Sequence, residues 1–344
     1  MVDVASITNE QELVDRLSAP YPEDVDMARR LDGDVLVLGA GGKMGPTLVQ
    51  RIVQAVEQAG AGVTVYAVSR FSDDEKRARL DALGAETVAA DLLDEQQRAA
   101  LPDGRNVIYL VGMKFGATGQ EPLTWAMNAY LPGRVAERFA DARIVAFSTG
   151  NVYPPTPVAS GGPTEDDPVG PVGEYAQSCL GRERILQHFA RRNATPTCLL
   201  RLNYAVEARY GVLLDIAQKV YHGAPVSLDM GYVNVIWQGD ANSVCFRALA
   251  QCDVPAEILN VTGPEILAVR DLAEAFAERF GRSVTFTGSE QDTALLNDAR
   301  RAHRLFGAPR VSVGAIIDLI ARWVEEDGAT LGKPTKFEVR DGQF

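Results

Sequence analysis

Apolar and polar residues alternate along the chain in blocks that predict strands and helices in turn. The first continuous apolar run is Val35-Leu36-Val37-Leu38, as expected of a strand covered on both faces in a parallel sheet. Apolar residues then recur at helical spacing over residues 44–59. The alternation continues with predicted strands at 63–68, 88–90, 107–111, 144–147 and 198–202, and predicted helices at 73–83, 94–101, 123–139 and 175–191.

The turn after the first strand carries the strongest chemical signal. It reads Gly39-Ala40-Gly41-Gly42-Lys43-Met44-Gly45 and lies between a predicted strand and a predicted helix. Glycines at 39, 42 and 45 permit a tight turn and allow the backbone to approach a pyrophosphate. Free N–H groups at the helix N-terminus would then bind that pyrophosphate. The strand–turn–helix setting therefore predicts a dinucleotide site that includes Lys43 and Met44.

The order of elements predicts an α/β fold, a Rossmann-type doubly wound parallel sheet with a smaller C-terminal α/β substrate lobe. Residues 33–203 form the predicted dinucleotide-binding domain, with later returns near 233–262. Residues 204–232 and 263–344 are predicted to form the substrate lobe and a C-terminal tail. Residues 1–32 are predicted to form a helical extension, in which Thr8 and Gln11 would make a capping box for a helix over 9–17.

Charge and composition exclude several classes of partner. The 344-residue chain has a formal net charge of −12, which argues against nucleic acid and against an anionic membrane surface. No apolar run reaches the roughly 18–20 residues of a membrane helix. The four cysteines form no CxxC pair, and three histidines add no metal-ligand cluster. We expect a cytoplasmic protein with reduced cysteines and no metal.

The end of the second strand bears on cofactor choice. A site selective for NAD usually has an acidic residue here, which holds the ribose 2′-hydroxyl. This chain instead has Ser69 and Arg70, a hydroxyl and a guanidinium that suit a 2′-phosphate. The sequence therefore favours NADP over NAD.

Three motifs together resemble the extended short-chain dehydrogenase/reductase family. They are the GxxGxxG turn, Asp91-Leu92 after the third strand, and Ser148-Thr149-Gly150-Asn151-Val152-Tyr153 after the fifth. The family includes NAD(P)-dependent nucleotide-sugar epimerases and dehydratases. The resemblance covers roughly residues 34–262 and is much weaker in the lobe that would select the substrate.

The resemblance implies roles for individual residues. Asp91 and Leu92 would lie beside the adenine, and Thr149 would hydrogen-bond a substrate oxygen as the family's catalytic serine or threonine does. A strand-end cap is the alternative role for Thr149. The remaining cofactor-lining positions implied are Val111, Gly112, Lys114, Asn128 and Tyr175.

The family's acid/base motif, Tyr-x-x-x-Lys, is incomplete. Tyr175 is present, but Cys179 stands where the lysine is expected. A free phenol has a pKa near 10, and the missing ammonium would have lowered it. Three possibilities follow: Tyr175 acts only as a hydrogen-bond donor, Lys114 supplies a substitute charge, or the redox step has been lost. Cys179 could also simply fill the volume of the lysine.

These observations lead to two main hypotheses. The first is an NAD(P)-dependent oxidoreductase or epimerase/dehydratase acting on a sugar, sugar acid or nucleotide sugar, with Thr149 orienting the substrate oxygen and Tyr175 as proton shuttle. The alternative is a non-catalytic NAD(P)-binding regulatory protein, which the missing lysine favours. A lyase or isomerase without redox chemistry is a third possibility. By analogy with the family we also expect a homodimer, formed through helices 123–139 and 175–191.

Overall fold

A seven-stranded parallel sheet forms the centre of the computed structural model, which describes residues 3–114, 119–333 and 335–342. Its strands are β1 (Val35–Leu38), β2 (Val65–Ser69), β3 (Glu86–Ala89), β4 (Asn106–Tyr109), β5 (Arg143–Thr149), β7 (Thr197–Leu202) and β12 (Glu257–Val261). Their order across the sheet is β3-β2-β1-β4-β5-β7-β12. The order reverses between β1 and β4, which is where a doubly wound fold opens its ligand crevice. The predicted Rossmann-type fold is confirmed.

Short strands form four two-stranded ladders beside this sheet in the described part of the chain. They are β6 (Thr156–Pro157), β8 (Ala205–Val206), β9 (Val226–Ser227), β10 (Tyr232–Val233), β11 (Ile236–Trp237), β13 (Leu267–Ala268), β14 (Phe286–Thr287) and β15 (Thr293–Ala294). Of the residues between 233 and 262, only β12 joins the main sheet, whereas β11 pairs in parallel with β8.

Helices cover both faces of the sheet and build the lobe. They are α1 (Glu10–Ser18), α2 (Pro22–Ala28), α3 (Gly45–Ala59), α4 (Asp74–Ala82), α5 (Glu95–Ala99), α6 (Glu121–Trp125), α7 (Leu131–Arg138), α8 (Gly173–Asn193), α9 (Val212–Tyr221), α10 (Gln238–Arg247), α11 (Val269–Phe280), α12 (Arg300–Phe306) and α13 (Val313–Glu325). Side chains of β1 alternate between the two faces. Val35 and Val37 pack in one buried cluster, and Leu36 and Leu38 pack in the other. Burial on both faces explains the continuous apolar run of this strand.

The N-terminal extension contains two helices rather than one. Helix α1 is capped by Asn9, whose side chain accepts a hydrogen bond from the Glu12 N–H. The Glu12 carboxylate reaches back to the Thr8 N–H at 2.7 Å, so the predicted partnership of Thr8 with Gln11 was wrong by one residue. Helix α2 was not predicted, because seven residues beginning with proline show too little periodicity.

The predicted helix over residues 123–139 is divided by a π-helical turn, Ala126–Tyr130, between α6 and α7. Pro132 lies in the first turn of α7, and proline has no N–H to donate to the residue four positions earlier. The freed backbone widens locally into the π turn. Such turns are frequent at functional sites, and this one turns Asn128 inward.

A buried ion pair fastens the extension to the dinucleotide-binding domain. Arg51 of α3 donates to Asp24 of α2 at 2.6 Å, and both side chains are fully buried. Asp24 also accepts hydrogen bonds from Ser243 at 2.6 Å and from the Tyr21 N–H at 2.8 Å. Arg51 further donates to the Leu17 carbonyl. The pair therefore joins α2, α3 and α10 at one point.

Breaking this pair should destabilise the whole protein. Asp24→Ala leaves the Arg51 charge buried without its carboxylate, so we expect the free energy of unfolding to fall by about 3–5 kcal/mol. The control is Asp26→Ala, which removes an exposed pair with Arg29 and should cost at most about 1 kcal/mol. Urea unfolding measures both. Equal losses from the two variants would contradict a structural role for the buried pair.

Candidate active site

The turn from β1 into α3 lies close to its neighbours, to the backbone of Ala40 at Gly45 and to the side chain of Ser69 at Gly41. A Cβ on Gly45 would lie 2.3 Å from the Ala40 carbonyl oxygen, and one on Gly41 would lie 2.6 Å from Ser69 Oγ. Gly39 has a φ of +93°, which side-chain-bearing residues rarely adopt. Substitution is therefore excluded by space at two positions and by backbone conformation at the third.

The same turn presents the N-terminus of α3 to the crevice. No side chain caps this helix at Met44, and Pro46 lies in its first turn. The 15-residue helix thus directs first-turn N–H groups and a partial positive charge at the space beside the glycines. This geometry fits a pyrophosphate.

A cavity of about 170 Å³ lies at the carboxyl ends of β1, β2 and β3. Eight residues predicted from the sequence to bind cofactor line it together: Gly39, Gly42, Ser69, Arg70, Asp91, Leu92, Val111 and Gly112. The Asp91 carboxylate accepts a hydrogen bond from the Leu93 N–H at 3.0 Å, which shapes the loop after β3. The cavity has the position, lining and size for the adenosine part of a dinucleotide.

A second cavity, of about 150 Å³, lies on the lobe side of the glycine turn. Its lining includes predicted residues from four separate elements, namely Lys43, Met44, Lys114, Thr149 and Tyr175. The lobe adds Tyr204 and Tyr210, which sequence reasoning did not single out. We call this space the reaction cavity.

Thr149 ends β5 beside Tyr175. Its hydroxyl accepts a hydrogen bond from the Asn151 N–H at 3.2 Å and donates to Asn151 Oδ1 at 2.9 Å. It is also hydrogen-bonded to Tyr175. The Thr149 hydroxyl therefore caps the turn at Gly150–Val152 and also faces the tyrosine, and its role toward a substrate oxygen stays a prediction.

The environment of Tyr175 keeps its phenol neutral. Burial is the main cause that raises the pKa of Tyr175, and the neighbouring Cys179 raises it further. Arg182 and the hydrogen bond with Thr149 act in the opposite direction without cancelling the rise. At neutral pH Tyr175 is therefore a hydrogen-bond donor and a poor proton acceptor.

Cys179 occupies the lysine position as a small buried residue. Its side chain is 1% exposed and packs in a cluster with Val152 and Tyr153. Burial raises the pKa of the Cys179 thiol, so the thiol stays neutral and provides no field that would stabilise a phenolate. This geometry matches the volume-filling alternative.

Arg182 is the permanent cation beside this pair, and sequence reasoning missed it. It follows Cys179 by three positions on α8, so the two residues share a helix face. Its guanidinium donates to the Phe147 carbonyl at 2.6 Å and to Asn128 Oδ1 at 2.9 Å. It also lies directly behind Gly112, where a Cβ would approach within 2.8 Å of it.

The predicted cofactor residue Asn128 anchors a loop. Its amide accepts from the Met113 N–H at 2.8 Å and donates to the Met113 carbonyl at 2.9 Å. A further hydrogen bond runs to Ser178 at 3.0 Å. Asn128 thereby ties the loop after β4, which carries Lys114, to helix α8.

Lys114 lies near Tyr175, as the substitute-charge hypothesis requires. Its Nζ is 5.7 Å from the centre of the Tyr175 ring. Burial lowers the pKa of Lys114 to about 8. The contact is with the face of the ring. That the charge of Lys114 assists the phenol in turnover therefore stays a prediction.

Lys43 extends away from the glycine turn toward the lobe. Its Nζ donates to the Ala205 carbonyl at 3.1 Å and lies 3.6 Å from the centre of the Tyr210 ring. Burial lowers the pKa of Lys43 to about 7. Two lysines with weakened basicity thus face the same reaction cavity.

A buried network holds the end of β5 against α8. Glu183 accepts from Ser148 at 2.5 Å and from Arg201 at 2.7 Å. Arg201 donates in turn to the Tyr153 hydroxyl at 2.5 Å. These contacts fix the position of Thr149 relative to Tyr175. Thr149 directly follows Ser148 on β5, and Tyr175 lies in the first turn of α8, the helix that carries Glu183.

Sequence comparison assigns this architecture to a family. The model of the NAD dependent epimerase/dehydratase family matches residues 35–228. The chain belongs to this family. The assignment confirms the resemblance drawn from the motifs and makes the chain a member of a family of NAD-dependent enzymes. None of the curated proteins matches the sequence significantly.

Solved structures with the same fold include further members of this epimerase/dehydratase group. UDP-glucuronic acid 4-epimerase from Bacillus cereus, in complex with NAD, has a TM-score of 0.71 and 18% identity, and the match covers 85% of this chain and 99% of that one. UDP-glucose 4-epimerase from Thermotoga maritima, with UDP-glucose, has a TM-score of 0.69, 17% identity and coverages of 86% and 99%. dTDP-glucose 4,6-dehydratase from Streptomyces venezuelae, with NAD and TYD bound, has a TM-score of 0.70, 18% identity and coverages of 86% and 97%.

The described ranges 3–114, 119–333 and 335–342 contain no cluster of three or more His, Cys, Asp or Glu side chains that could hold a metal ion. Within the same ranges, no helix combines the length and apolar character needed to span a bilayer.

Restoring the family lysine should change the titration of Tyr175. In Cys179→Lys an ammonium would stabilise the phenolate, so we expect the pKa of Tyr175 to fall relative to the native protein. The measurement is the ultraviolet absorbance of phenolate as pH rises, with Tyr175→Phe subtracted. Cys179→Met, long but uncharged, is the matched control. An unchanged titration in the lysine variant would mean that burial alone governs the phenol.

Proposed function

We propose that this protein is an NAD(P)-dependent epimerase, dehydratase or oxidoreductase that acts on a sugar, sugar acid or nucleotide sugar. The observation that carries the proposal is the hydrogen-bonded pair of Thr149 and Tyr175 in the reaction cavity. This cavity adjoins the glycine turn and the adenosine cavity, so a dinucleotide that occupies both would present its reactive end to the two hydroxyls. The solved epimerases and the dehydratase named above support a carbohydrate substrate through shared fold only.

The nicotinamide supplies hydride acceptance and donation when the cofactor is bound. The protein's own residues handle the proton. Thr149 holds the reacting oxygen of the substrate, and neutral Tyr175 donates a hydrogen bond to the same oxygen. Because Tyr175 resists ionisation, we assign uptake and release of the substrate proton to Lys114, which lies beside the Tyr175 ring and whose pKa burial lowers to about 8.

The proposed substrate lobe comprises residues 204–232 and 263–344. Its support is a separate buried cluster that includes Ile216, Phe276 and Ile320 from helices α9, α11 and α13. This cluster also takes in Leu13 and Leu17 of the extension. The extension therefore packs on the lobe and, through Asp24, on the dinucleotide-binding domain.

We also propose a homodimer through α6, the π turn and α8. Three large apolar side chains are exposed on the first two of these elements: Leu123 is 43%, Trp125 38% and Tyr130 56% exposed. Clustered exposed apolar residues are typical of interaction surfaces.

A non-catalytic NAD(P)-binding regulator is the second candidate. The neutral thiol of Cys179 favours it, since the group that normally activates the tyrosine is replaced by one without charge. Turnover separates the two candidates.

Removal of the phenolic hydroxyl should abolish most turnover. We expect Tyr175→Phe to lower kcat by about 10²–10³-fold, the usual loss when one hydrogen-bond donor to the reacting oxygen is removed. The measurement is nicotinamide absorbance during incubation with a panel of sugars, sugar acids and nucleotide sugars. Tyr66→Phe, which removes a hydroxyl from β2, is the control. Because an epimerase or dehydratase returns its cofactor to the starting redox state, product formation is also followed by chromatography. Cofactor binding with neither a new product nor a change of redox state for any substrate would favour the regulator.

Arg70 should set the cofactor preference. We propose that NADP binds more tightly than NAD, because Ser69 and Arg70 line the adenosine cavity at the end of β2. Arg70→Ala should weaken NADP binding about tenfold or more and leave NAD binding unchanged. Calorimetry with each dinucleotide tests this, with Arg77→Ala on α4 as control. Equal affinities of the native protein for both cofactors would contradict the preference.

A further inference from the structure

The reaction cavity concentrates lysine in a chain that otherwise uses arginine. Only six of its 34 Lys and Arg residues are lysines, and two of the six, Lys43 and Lys114, line this one cavity. The buried ion pairs elsewhere use arginine, as at Arg51 and Arg201. Arginine is permanently charged, whereas lysine releases its proton when buried.

The nearest carboxylates on the lobe are engaged with other groups. Glu207 accepts from the Arg209 guanidinium and from its N–H, at 2.9–3.2 Å. Asp215 accepts from the Thr335 N–H at 2.7 Å and from its hydroxyl at 2.5 Å. Lys43 itself contacts a carbonyl oxygen and an aromatic face. The ammonium of Lys43 therefore remains available to an external anion.

Burial and the neighbouring charges set the pKa of each lysine. For Lys43, burial and the charges of Lys114 and Arg209 lower the pKa, and Glu207 raises it. For Lys114, burial lowers the pKa, and Cys179 and Asp215 raise it. Each lysine is thus held below its ordinary basicity by loss of solvent. A bound anion would stabilise the protonated form of both.

We propose, as an extension of the proposed function, that the substrate is a carboxylate-bearing sugar whose carboxylate binds between Lys43 and Lys114 while its reacting hydroxyl lies at Thr149 and Tyr175. The cavity has a volume of about 150 Å³ and also receives the reactive end of the dinucleotide, so we expect a compact substrate.

The test compares sugar acids with matched neutral sugars. Protein saturated with NADP is titrated calorimetrically with glucuronate and galacturonate, and with glucose and galactose. We expect the acids to bind at least about tenfold more tightly. Because the anion stabilises the protonated lysines, acid affinity should fall as pH rises through 7 and 8, and binding should take up protons, seen as heat that depends on the buffer.

Lysine variants and NMR of ¹³C-methylated lysines test whether Lys43 and Lys114 hold the carboxylate. Lys43→Met and Lys114→Met should each weaken acid binding about tenfold more than they weaken neutral-sugar binding, whereas Lys76→Met, on exposed α4, should change neither. In the native protein, ¹³C-methylated lysines give few NMR signals. Two of them should titrate at higher pH once glucuronate binds, a result that does not depend on a variant folding.

Several outcomes would overturn the subsite. They are equal affinity for acids and neutral sugars, tighter binding of a sugar phosphate than of a sugar acid, or loss of NADP rather than acid affinity in Lys43→Met. The last would assign Lys43 to the cofactor diphosphate. Hydride transfer from neutral sugars without acid binding would overturn this subsite and leave the proposed function intact. Acid binding without hydride transfer would support the subsite and contradict the proposed function.

Discussion

The close approach of backbone at the turn from β1 into α3 is the constraint on which the rest of the structure depends. Glycine at 41 lets the turn contact Ser69 of β2, and glycine at 45 lets α3 begin directly against Ala40. With side chains at these positions the helix would withdraw from the sheet edge, and its N–H groups would no longer face the crevice. The adenosine cavity, the reaction cavity and the direction of Lys43 all follow from this contact, because residues of this one turn border both cavities: Gly39 and Gly42 line the first, and Lys43 and Met44 line the second.

Helix α8 is the second organising element, since it carries Tyr175 and the residues that surround its phenol on one face. Tyr175, Cys179 and Arg182 follow one another at helical spacing, and Glu183 begins the buried network that holds β5. The helix has kept its tyrosine and its structural acid while the lysine position has become apolar. A buried guanidinium lies behind the pair, but its hydrogen bonds to Phe147 and Asn128 hold it in place. The positive charges that can gain and lose protons line the same cavity on Lys43 and Lys114.

This arrangement of charges affects which substrate charge the site favours. In the family pattern the protein supplies a fixed ammonium beside the tyrosine. Here the tyrosine is neutral, and the two lysines are weakened by burial, so their charge depends on what enters the cavity. A negatively charged substrate would stabilise the protonated form of both lysines. In this way the absence of the family lysine at Cys179 is connected with the presence of Lys43 in the glycine turn.

The order of strands and helices, the glycine turn and most of the positions that line the adenosine cavity were all readable in the sequence, because each depends on local periodicity or on glycine at fixed spacing. Tyr175 and the absence of the family lysine were readable for the same reason, since five consecutive residues of one helix carry the motif. The sequence could not show that Asn128 anchors a loop, since that depends on a π turn and on Arg182 lying 54 positions away. Nor could it show that Lys43 leaves the cofactor and reaches Tyr210, 167 residues further along the chain. Contacts of that kind arise only when the lobe packs on the sheet edge, and burial, which sets the charge of each lysine, is a property of that packing alone.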